Sequence, residues 1–478
     1  MGYIKKWKWL KIRYLLLAVI IFALYVILGI VISYIRHPEV SSEYQKSFDP
    51  QMCYSETIST DRACVIEDNV TALEERLRMI GQAKERIILS TFDFHADKSG
   101  KDVLAALVNA AEREVHIQIL VDGFSALQQM DGNAYFYALS SMENVEIRIY
   151  NRLNLLKPWK TMGRLHDKYL IVDDSVYLLG GRNTYDYFLG DNGYKNYDRD
   201  VLVYSTRPER EESSIHQLEA YFKSVWNLDV CKTFGKKAGM AEKKDVVQAR
   251  EELKERFETL LEEQPEIREK PDYVEMTYEV NQITLLSNPI HVYAKEPTLF
   301  YSLTELMKNA EKEVAVHTPY IICNDWMYNS FQEVCDGGKD VLLMTNSVAN
   351  NGNPFGASDY QKNKGKLLET GLEIHEYEGG VSYHGKSITI DDELAIVGSF
   401  NMDMRSAYLD TELMLVIDSK DVARQLRGYM QSYEKDSVQA FPDGSYRVPD
   451  GVERQKISKK REQRVKLLTT LNWFRFLM

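Results

Sequence analysis

One string is written twice in this chain, 218 positions apart. The first copy is His166-Asp167-Lys168, then Asp173, then Gly180-Gly181-Arg182-Asn183; the second is His384-Gly385-Lys386, then Asp391, then Gly398-Ser399-Phe400-Asn401. Both follow H-x-K-x4-D-x6-G-[GS]-x-N without a gap. Agreement of this kind marks an internal repeat, so the chain is expected to build one supersecondary unit twice. A decayed repeat kept only for packing would lose its polar members first, yet every one stands in both copies.

The flanking sequence repeats the same plan. In the first half, the runs Arg86–Phe92, Val115–Val121 and Val145–Tyr150 read as strands, with a helix from about Lys101 to Glu112. In the second, a helix over Leu299–Lys312 precedes the strand Val314–Tyr320. A helix over Asp325–Val334 and strands Val341–Thr345 and Leu372–Tyr377 follow. Strands alternating with helices predict an α/β sandwich in each half, mostly parallel inside, the two halves related by a pseudo-twofold axis. The expected division is 1–13, a basic terminus; 14–35, a membrane span; 36–65, a polar stalk; 66–231, the first domain; 232–284, a charged and exposed helical connector; 285–435, the second domain; and 436–478, a basic tail.

The span rests on Tyr14 to Ile35, 22 apolar or small residues without a charge, against about 20 needed to cross the hydrocarbon. Lys5, Lys6, Lys8, Lys11 and Arg13 precede it and Arg36 follows, which predicts a cytoplasmic N-terminus and a body outside. A cleavable signal peptide is the rival reading, but the run is long and Tyr34-Ile35-Arg36-His37-Pro38 offers no small-x-small site. Residues 454–478 carry eight basic side chains and one acidic, with Leu467, Leu468, Leu471, Trp473, Phe474, Phe476 and Leu477 among them. That pattern reads either as a membrane-surface helix or as a tail packed on a domain.

The net charge of -12 understates the acidity of the body, because residues 1–36 hold six basic side chains and no acidic one. The remaining 53 basic against 71 acidic groups give -18, unfavourable for nucleic acid, whose binding relies on Lys and Arg. The five cysteines form no C-x-x-C pair, so no zinc site is expected. Outside the cytoplasm Cys53 and Cys64 could close a disulfide loop. Cys231 and Cys323 read as small buried hydrophobes.

The chemistry follows from the residue types. Each H-x-K opens an apolar alternating run, Tyr169–Val172 or Ser387–Ile390, so His and Lys two apart point to one face. A neutral imidazole can attack a phosphorus while a lysine holds the non-bridging oxygens. Asn183 and Asn401 can donate to the same oxygens, and the glycines before them allow close approach. One copy is half a site. Two copies facing each other would supply a nucleophile and a general acid/base.

The duplicated string resembles the HKD signature of the phospholipase D superfamily, and within it the chain is most similar to the bacterial cardiolipin synthases. The supporting residues are Gly180-Gly181-Arg182-Asn183 with Tyr187-Phe188, Asp198-Arg199-Asp200-Val201, Thr318-Pro319-Tyr320 and Thr345-Asn346-Ser347. Asn401-Met402-Asp403-Met404-Arg405-Ser406, with Glu412 soon after, completes the set. The resemblance covers roughly residues 66–435. It implies His166 and His384 as nucleophile and acid/base, with His166 the nucleophile by analogy. Lys168, Lys386, Asn183, Asn401, Gly181 and Ser399 would hold the phosphate, and Asp200 and Glu412 would orient the histidines. Asp173 and Asp391 complete the catalytic signature, although bracing the fold suits them better than touching substrate.

Two departures stand out. The synthases commonly carry two N-terminal spans or none, and this chain has one. The first-half acid, Asp200, lies 34 residues beyond its His against 28 for Glu412, which places an insertion near Leu189–Asn196 at the mouth of the site.

The leading expectation is therefore a phosphatidyltransferase anchored in a bacterial plasma membrane. It would form cardiolipin from phosphatidylglycerol, or a related donor, through a phosphohistidine. Hydrolysis to phosphatidic acid, another phosphodiesterase activity and a non-catalytic scaffold are the alternatives. The expected partners are membrane phospholipids, and no nucleic acid. No cofactor and no divalent metal are expected, since H-E-x-x-H and two-metal carboxylate clusters are missing and the lysines supply positive charge.

Overall fold

The alternating runs become strands because each is buried on both faces. Tyr169–Val172 and Val176–Gly180 form one hairpin, Ser387–Ile390 and Leu394–Gly398 its counterpart, and every residue of all four strands is buried. In both hairpins the turn is made at positive φ by the motif aspartate, Asp173 at 49° and Asp391 at 50°. This conformation suits Asp and Asn better than most L-residues. The computed structural model describes residues 2–236, 238–470 and 472–478, with the side chains of residues 2–10 outside that description. Leu471 and the side chains of Lys5, Lys6 and Lys8, used in the sequence reading, thus lie outside the described residues.

Each half is one sheet with nine described strands. In the first, the order runs from Tyr278–Glu279 through Asp61–Ile66, Asp200–Ser205 and the hairpin to Arg86–Thr91, His116–Asp122, Val145–Tyr150 and Cys231–Thr233. The second repeats it from Gln282–Ser287 through Leu413–Asp418 and its hairpin to Glu313–His317, Asp340–Asn346, Glu373–Tyr377, Ser437–Ala440 and Tyr446–Arg447. The expectation of a mostly parallel interior needs correction. Within the two nine-stranded sheets, the parallel pairings among described residues are those on either side of His116–Asp122 and of Asp340–Asn346, where a crossover helix makes the connection.

The two sheets share a central core. Ile88, Leu179, Val201 and Val203 of the first half meet Ala315, Val397, Leu413 and Leu415 of the second. Helices Ser214–Trp226 and Lys420–Glu434 each lie against the other half's sheet. Their glutamines bond across in matching fashion: Leu285 N–H donates to Gln217 Oε1 (2.9 Å) and Val65 N–H to Gln425 Oε1 (2.8 Å). Outer helices cover the far face of each sheet and close two further cores.

Three expected segments differ. Residues 36–65 are not a free stalk: Asp61–Ile66 pairs with Asp200–Ser205 within the first sheet, and the stretch before it is bonded to the second half (Tyr44 to Ser302, 2.8 Å; Ser55 to Asp418, 2.8 Å). Residues 232–284 are not an exposed connector. Helix Lys244–Glu263 buries Val246, Ala249, Leu253, Phe257, Leu260 and Leu261 against helices of the first half, a stripe at three-to-four spacing. The segment also supplies an edge strand to each sheet. Residues 436–478 begin as two strands of the second sheet and end packed on the body. Phe476 is buried, and Arg475 Nε pairs with Asp359 Oδ1 (2.9 Å).

The five cysteines are free thiols. Cys53 and Cys64 belong to different cores, so the disulfide considered above does not form. One described helix is long and apolar enough to cross a membrane, Lys11–Tyr34, within Gly2–Tyr34. Its apolar side chains are largely exposed. The chain thus carries one apolar N-terminal helix, a candidate membrane span, beside two similar α/β halves.

Candidate active site

His166 and His384 each stand at the entrance to a hairpin, and at each point the two halves touch. Leu165 bridges Thr411, and Tyr383 pairs with Tyr197. Each contact places a histidine beside an acid from the opposite half. His166 Nδ1 lies 2.9 Å from Glu412 Oε1, and His384 Nδ1 lies 2.6 Å from Asp198 Oδ2. The pairs are crossed.

Asp198 replaces Asp200 in the orienting role expected from the sequence. Strand register explains the substitution. Gly180 is opposite Asp200 and Gly398 opposite Met414, so the counterpart of Glu412, two residues earlier, is Asp198. Asp200 is instead buried between Arg76 Nη2 (2.9 Å) and Arg182 Nη1 (3.2 Å) and braces the fold. Side chains two apart share a face, so alternation could not separate the two acids. The D-R-D stretch was visible, but choosing within it required the register. Nor did the sequence signal that each acid serves the other half's histidine.

The Gly/Ser position of the motif touches the same carboxylates. A Cβ on Gly181 would stand 2.2 Å from Asp198 Oδ1, so only glycine leaves room for that acid. In the second half Ser399 Oγ donates to Glu412 Oε2 (2.5 Å), and Ser406 Oγ donates to Oε1 (2.6 Å). Lys168 Nζ donates to His166 O (2.5 Å), and Lys386 Nζ lies 2.6 Å from His384 Nδ1 and 3.7 Å from Asp198. Asn183 Oδ1 accepts from Asp93 N–H (3.3 Å), and Asn401 Oδ1 is buried without a protein partner among the described residues. Phe92 packs edge-on to His166 (5.5 Å between centroids) and Phe188 to His384 (5.0 Å). The loop Leu189–Asn196 follows Phe188, with residues 191–194 exposed at the surface.

Asp173 and Asp391 lie away from this cluster. Asp173 accepts from the backbone N–H groups of Lys84, Glu85 and Arg86 at 2.8–3.2 Å, and Asp391 from those of Glu311, Lys312 and Glu313 at 2.8–3.0 Å. They clasp the loop entering the strand beside the hairpin, so their place in the repeated string is structural and not catalytic. For Asp391, these N–H bonds outweigh the rise from partial burial and hold the carboxyl below its usual range.

Burial sets the protonation states. It lowers His166 well below the usual imidazole range, with Lys168 adding to the effect, and takes His384 down to about 4, Lys386 adding and Asp198 opposing. Both rings are therefore neutral near pH 7, with a free lone pair for attack. Burial raises Glu412 to about 7 against the pull of Lys168. It also acts to raise Asp198, but Lys386 and His384 outweigh it and keep that acid ionised. Lys168 is lowered to about 7 by burial, and Lys386 is lowered for the same reason. Lys386 also acts on His166, and Lys168 on His384, so the two motifs form one electrostatic unit. Among the described residues no cluster of three or more His, Cys, Asp or Glu has the geometry to hold a metal.

A cavity of about 560 Å³ opens onto this unit, with His166, Asn401, Phe92, Tyr320 and Ile322 in its lining. A larger hollow of about 820 Å³ surrounds Asp391, Lys312 and Asp418; it holds neither histidine.

Two neutral imidazoles, each oriented by a carboxylate and flanked by a lysine, define a phospholipase D-superfamily site. A profile of the family described as "Cardiolipin synthase, PLD-like domain" matches residues 77–226 and 303–433, more than half the chain, and the chain belongs to that family. It is similar to an uncharacterized protein of Helicobacter pylori (strain ATCC 700392 / 26695), 25% identical over 412 residues, covering 78% of this chain and 80% of that one. It is also similar to cardiolipin synthase 1 of Staphylococcus epidermidis (strain ATCC 12228), 26% identical over 375 residues, 77% of this chain and 66% of that one. Among solved structures, the phosphatidylserine synthase of Haemophilus influenzae Rd KW20 superposes with a TM-score of 0.63 at 13% identity, over 91% of this chain and all of that one. It shares the fold. The chain is thus a phospholipase D-superfamily enzyme of phosphatidyltransferase type, related to the cardiolipin synthases.

Two predictions follow from the geometry. Asp198→Asn should lower kcat by about a hundredfold with little change in melting temperature, since it removes the acid that orients His384. Asp200→Ala should do the reverse, costing about 3–5 kcal/mol of stability because it strands buried guanidinium groups. Equal kinetic losses in both would contradict the assignment. The second concerns Lys168, whose cation is present below about pH 7 and lost above it. The kcat/KM for a soluble phosphodiester should therefore fall as pH rises through about 7, and Lys168→Arg should move that limb upward; a limb that stays in place would count against it.

Proposed function

We propose that the enzyme transfers a phosphatidyl group from phosphatidylglycerol to the glycerol hydroxyl of a second lipid, forming cardiolipin and releasing glycerol. The crossed His–carboxylate pairs carry this reading, because they equip one site with two oriented imidazoles, one to attack phosphorus and one to carry a proton. One histidine attacks phosphorus, an N–P bond forms, and the P–O bond to the leaving glycerol breaks. The other histidine, which takes up a proton as the anionic diester binds beside it, gives that proton to the departing alkoxide. It then takes the proton of the incoming lipid hydroxyl, the new P–O bond forms and the N–P bond breaks, which restores both rings. Lys168 and Lys386 balance the charge on the non-bridging oxygens, with Asn183 and Asn401 as further ligands. The presence of His166, and not His384, in the lining of the largely apolar cavity supports it as the nucleophile, with His384 as acid and base.

The apolar helix keeps the body at its lipid substrate. The basic residues before that helix favour a cytoplasmic N-terminus and a catalytic body outside the plasma membrane of a bacterium. Hydrolysis to phosphatidic acid uses the same site with water as acceptor.

Purified protein supplied with phosphatidylglycerol in mixed micelles should yield cardiolipin and glycerol in equal amounts, read by mass spectrometry. His166→Ala and His384→Ala should each abolish the product. Phosphatidic acid as the sole product, at any lipid concentration, would replace transfer with hydrolysis.

A further inference from the structure

We propose that Leu468, Phe474, Leu477 and Met478 of the C-terminal tail form part of the wall of an acyl-chain groove that delivers a phospholipid to His166 directly from the bilayer. This rests on the phospholipid reading above and adds to it a binding surface outside both segments matched by the family profile.

The cavity of about 560 Å³ is lined by His166 and Asn401 together with Leu468, Phe474, Leu477 and Met478 of the tail, and Asp403, Arg405 and Asp410 also reach it. Ile322 and Phe355 of the second half complete its apolar lining. The volume falls within the range of ordinary small-molecule sites, about 300–1,000 Å³. A largely apolar cavity that includes His166 suits a substrate with a phosphodiester at one end and hydrocarbon at the other.

The trough also lies where the chain leaves the membrane. Tyr34, the last residue of the span, donates to Trp159 O (2.7 Å) and Val292 O (3.1 Å). Three residues later, His37 stacks on Tyr408 (4.1 Å between centroids), and its Nε2 lies 3.1 Å from Phe476 O, inside the segment that walls the cavity. Arg405 ties the same segment to both halves, donating to Leu477 O (3.2 Å) and Met162 O (3.0 Å) while pairing with Asp410 (2.9 Å). Farther up the span, Tyr25 donates to Leu156 O (2.8 Å), in a loop whose Leu153, Leu155 and Leu156 are exposed. Apolar side chains exposed beside a membrane helix belong in the bilayer interface. The body is thus seated on the lipid surface with the mouth of the trough beside the anchor, and the basic tail is a built part of the site.

The test compares two substrates on the full-length protein: long-chain phosphatidylglycerol in vesicles, and bis(p-nitrophenyl) phosphate, a soluble diester without acyl chains. Phe474→Gln and, in the lining contributed by the second half, Phe355→Gln should each lower the ratio of lipid to soluble-diester turnover by about tenfold or more, the loss expected when one or two methylenes of apolar contact are replaced by a polar group. Phe355 is partly exposed on a surface helix, so that variant keeps the test open if the other fails to fold. An unchanged ratio, or equal losses on both substrates in both variants, would overturn the proposal. Wild-type protein that turns over the soluble diester and leaves vesicle lipid intact would overturn the phospholipid reading itself, a separate result.

Discussion

Two hydrogen bonds hold this enzyme's logic, the one from His166 to Glu412 and the one from His384 to Asp198. Because each runs between halves, neither half alone has an oriented imidazole. The central core, the matched Gln217 and Gln425 bonds and the two backbone bridges beside the histidines all serve to keep that crossing in register. Duplication of a sequence makes two half-sites. Only their facing arrangement makes one site.

The arrangement is expensive in charge. Lys168, Lys386, Asp198, Asp200, Arg182, Arg199 and Glu412 are all buried near the seam. Burial of unpaired ions would be strongly destabilising, and Asp200, Arg182, Arg199, Asp198 and Lys386 are each matched by an opposite charge. Arg199 shows how the bracing works. Its guanidinium grips Glu67 with two bonds (2.8 and 2.9 Å) and reaches Ser387 Oγ of the other half (2.8 Å). The charges left partly unbalanced are those at the chemistry, where burial keeps both imidazoles neutral and Lys168 close to its titration point. A bound phosphodiester, carrying one negative charge, complements that excess.

What the sequence made legible was whatever repeats locally. The hairpins Tyr169–Gly180 and Ser387–Gly398 and their leading histidines and lysines are written in contiguous residues, as are the strand–helix alternations around them. What stayed hidden depends on partners far along the chain. Asp61–Ile66 offers only a short apolar run, and it becomes a strand because Asp200–Ser205 lies antiparallel beside it; read alone, it was a stalk. Helix Lys244–Glu263 shows its charges at once, while the stripe from Val246 to Leu261 has meaning only against the helices it covers. Asp198 and Asp200 differ by one pleat, and only the pairing of Gly180 with Asp200 tells them apart. The sequence of the tail fits a membrane surface or a packed end equally. It is packed, yet it lines the cavity that leads to His166.

The most direct measurement of a single composite site is the stoichiometry of the covalent intermediate. Protein mixed with phospholipid labelled at phosphorus and quenched with alkali, which preserves an N–P bond, should retain at most one phosphorus per chain, on one histidine, and should lose it on addition of acceptor lipid. Two labelled histidines per chain would mean two independent half-sites, and full turnover with no trapped phosphorus would mean direct displacement; either contradicts the account.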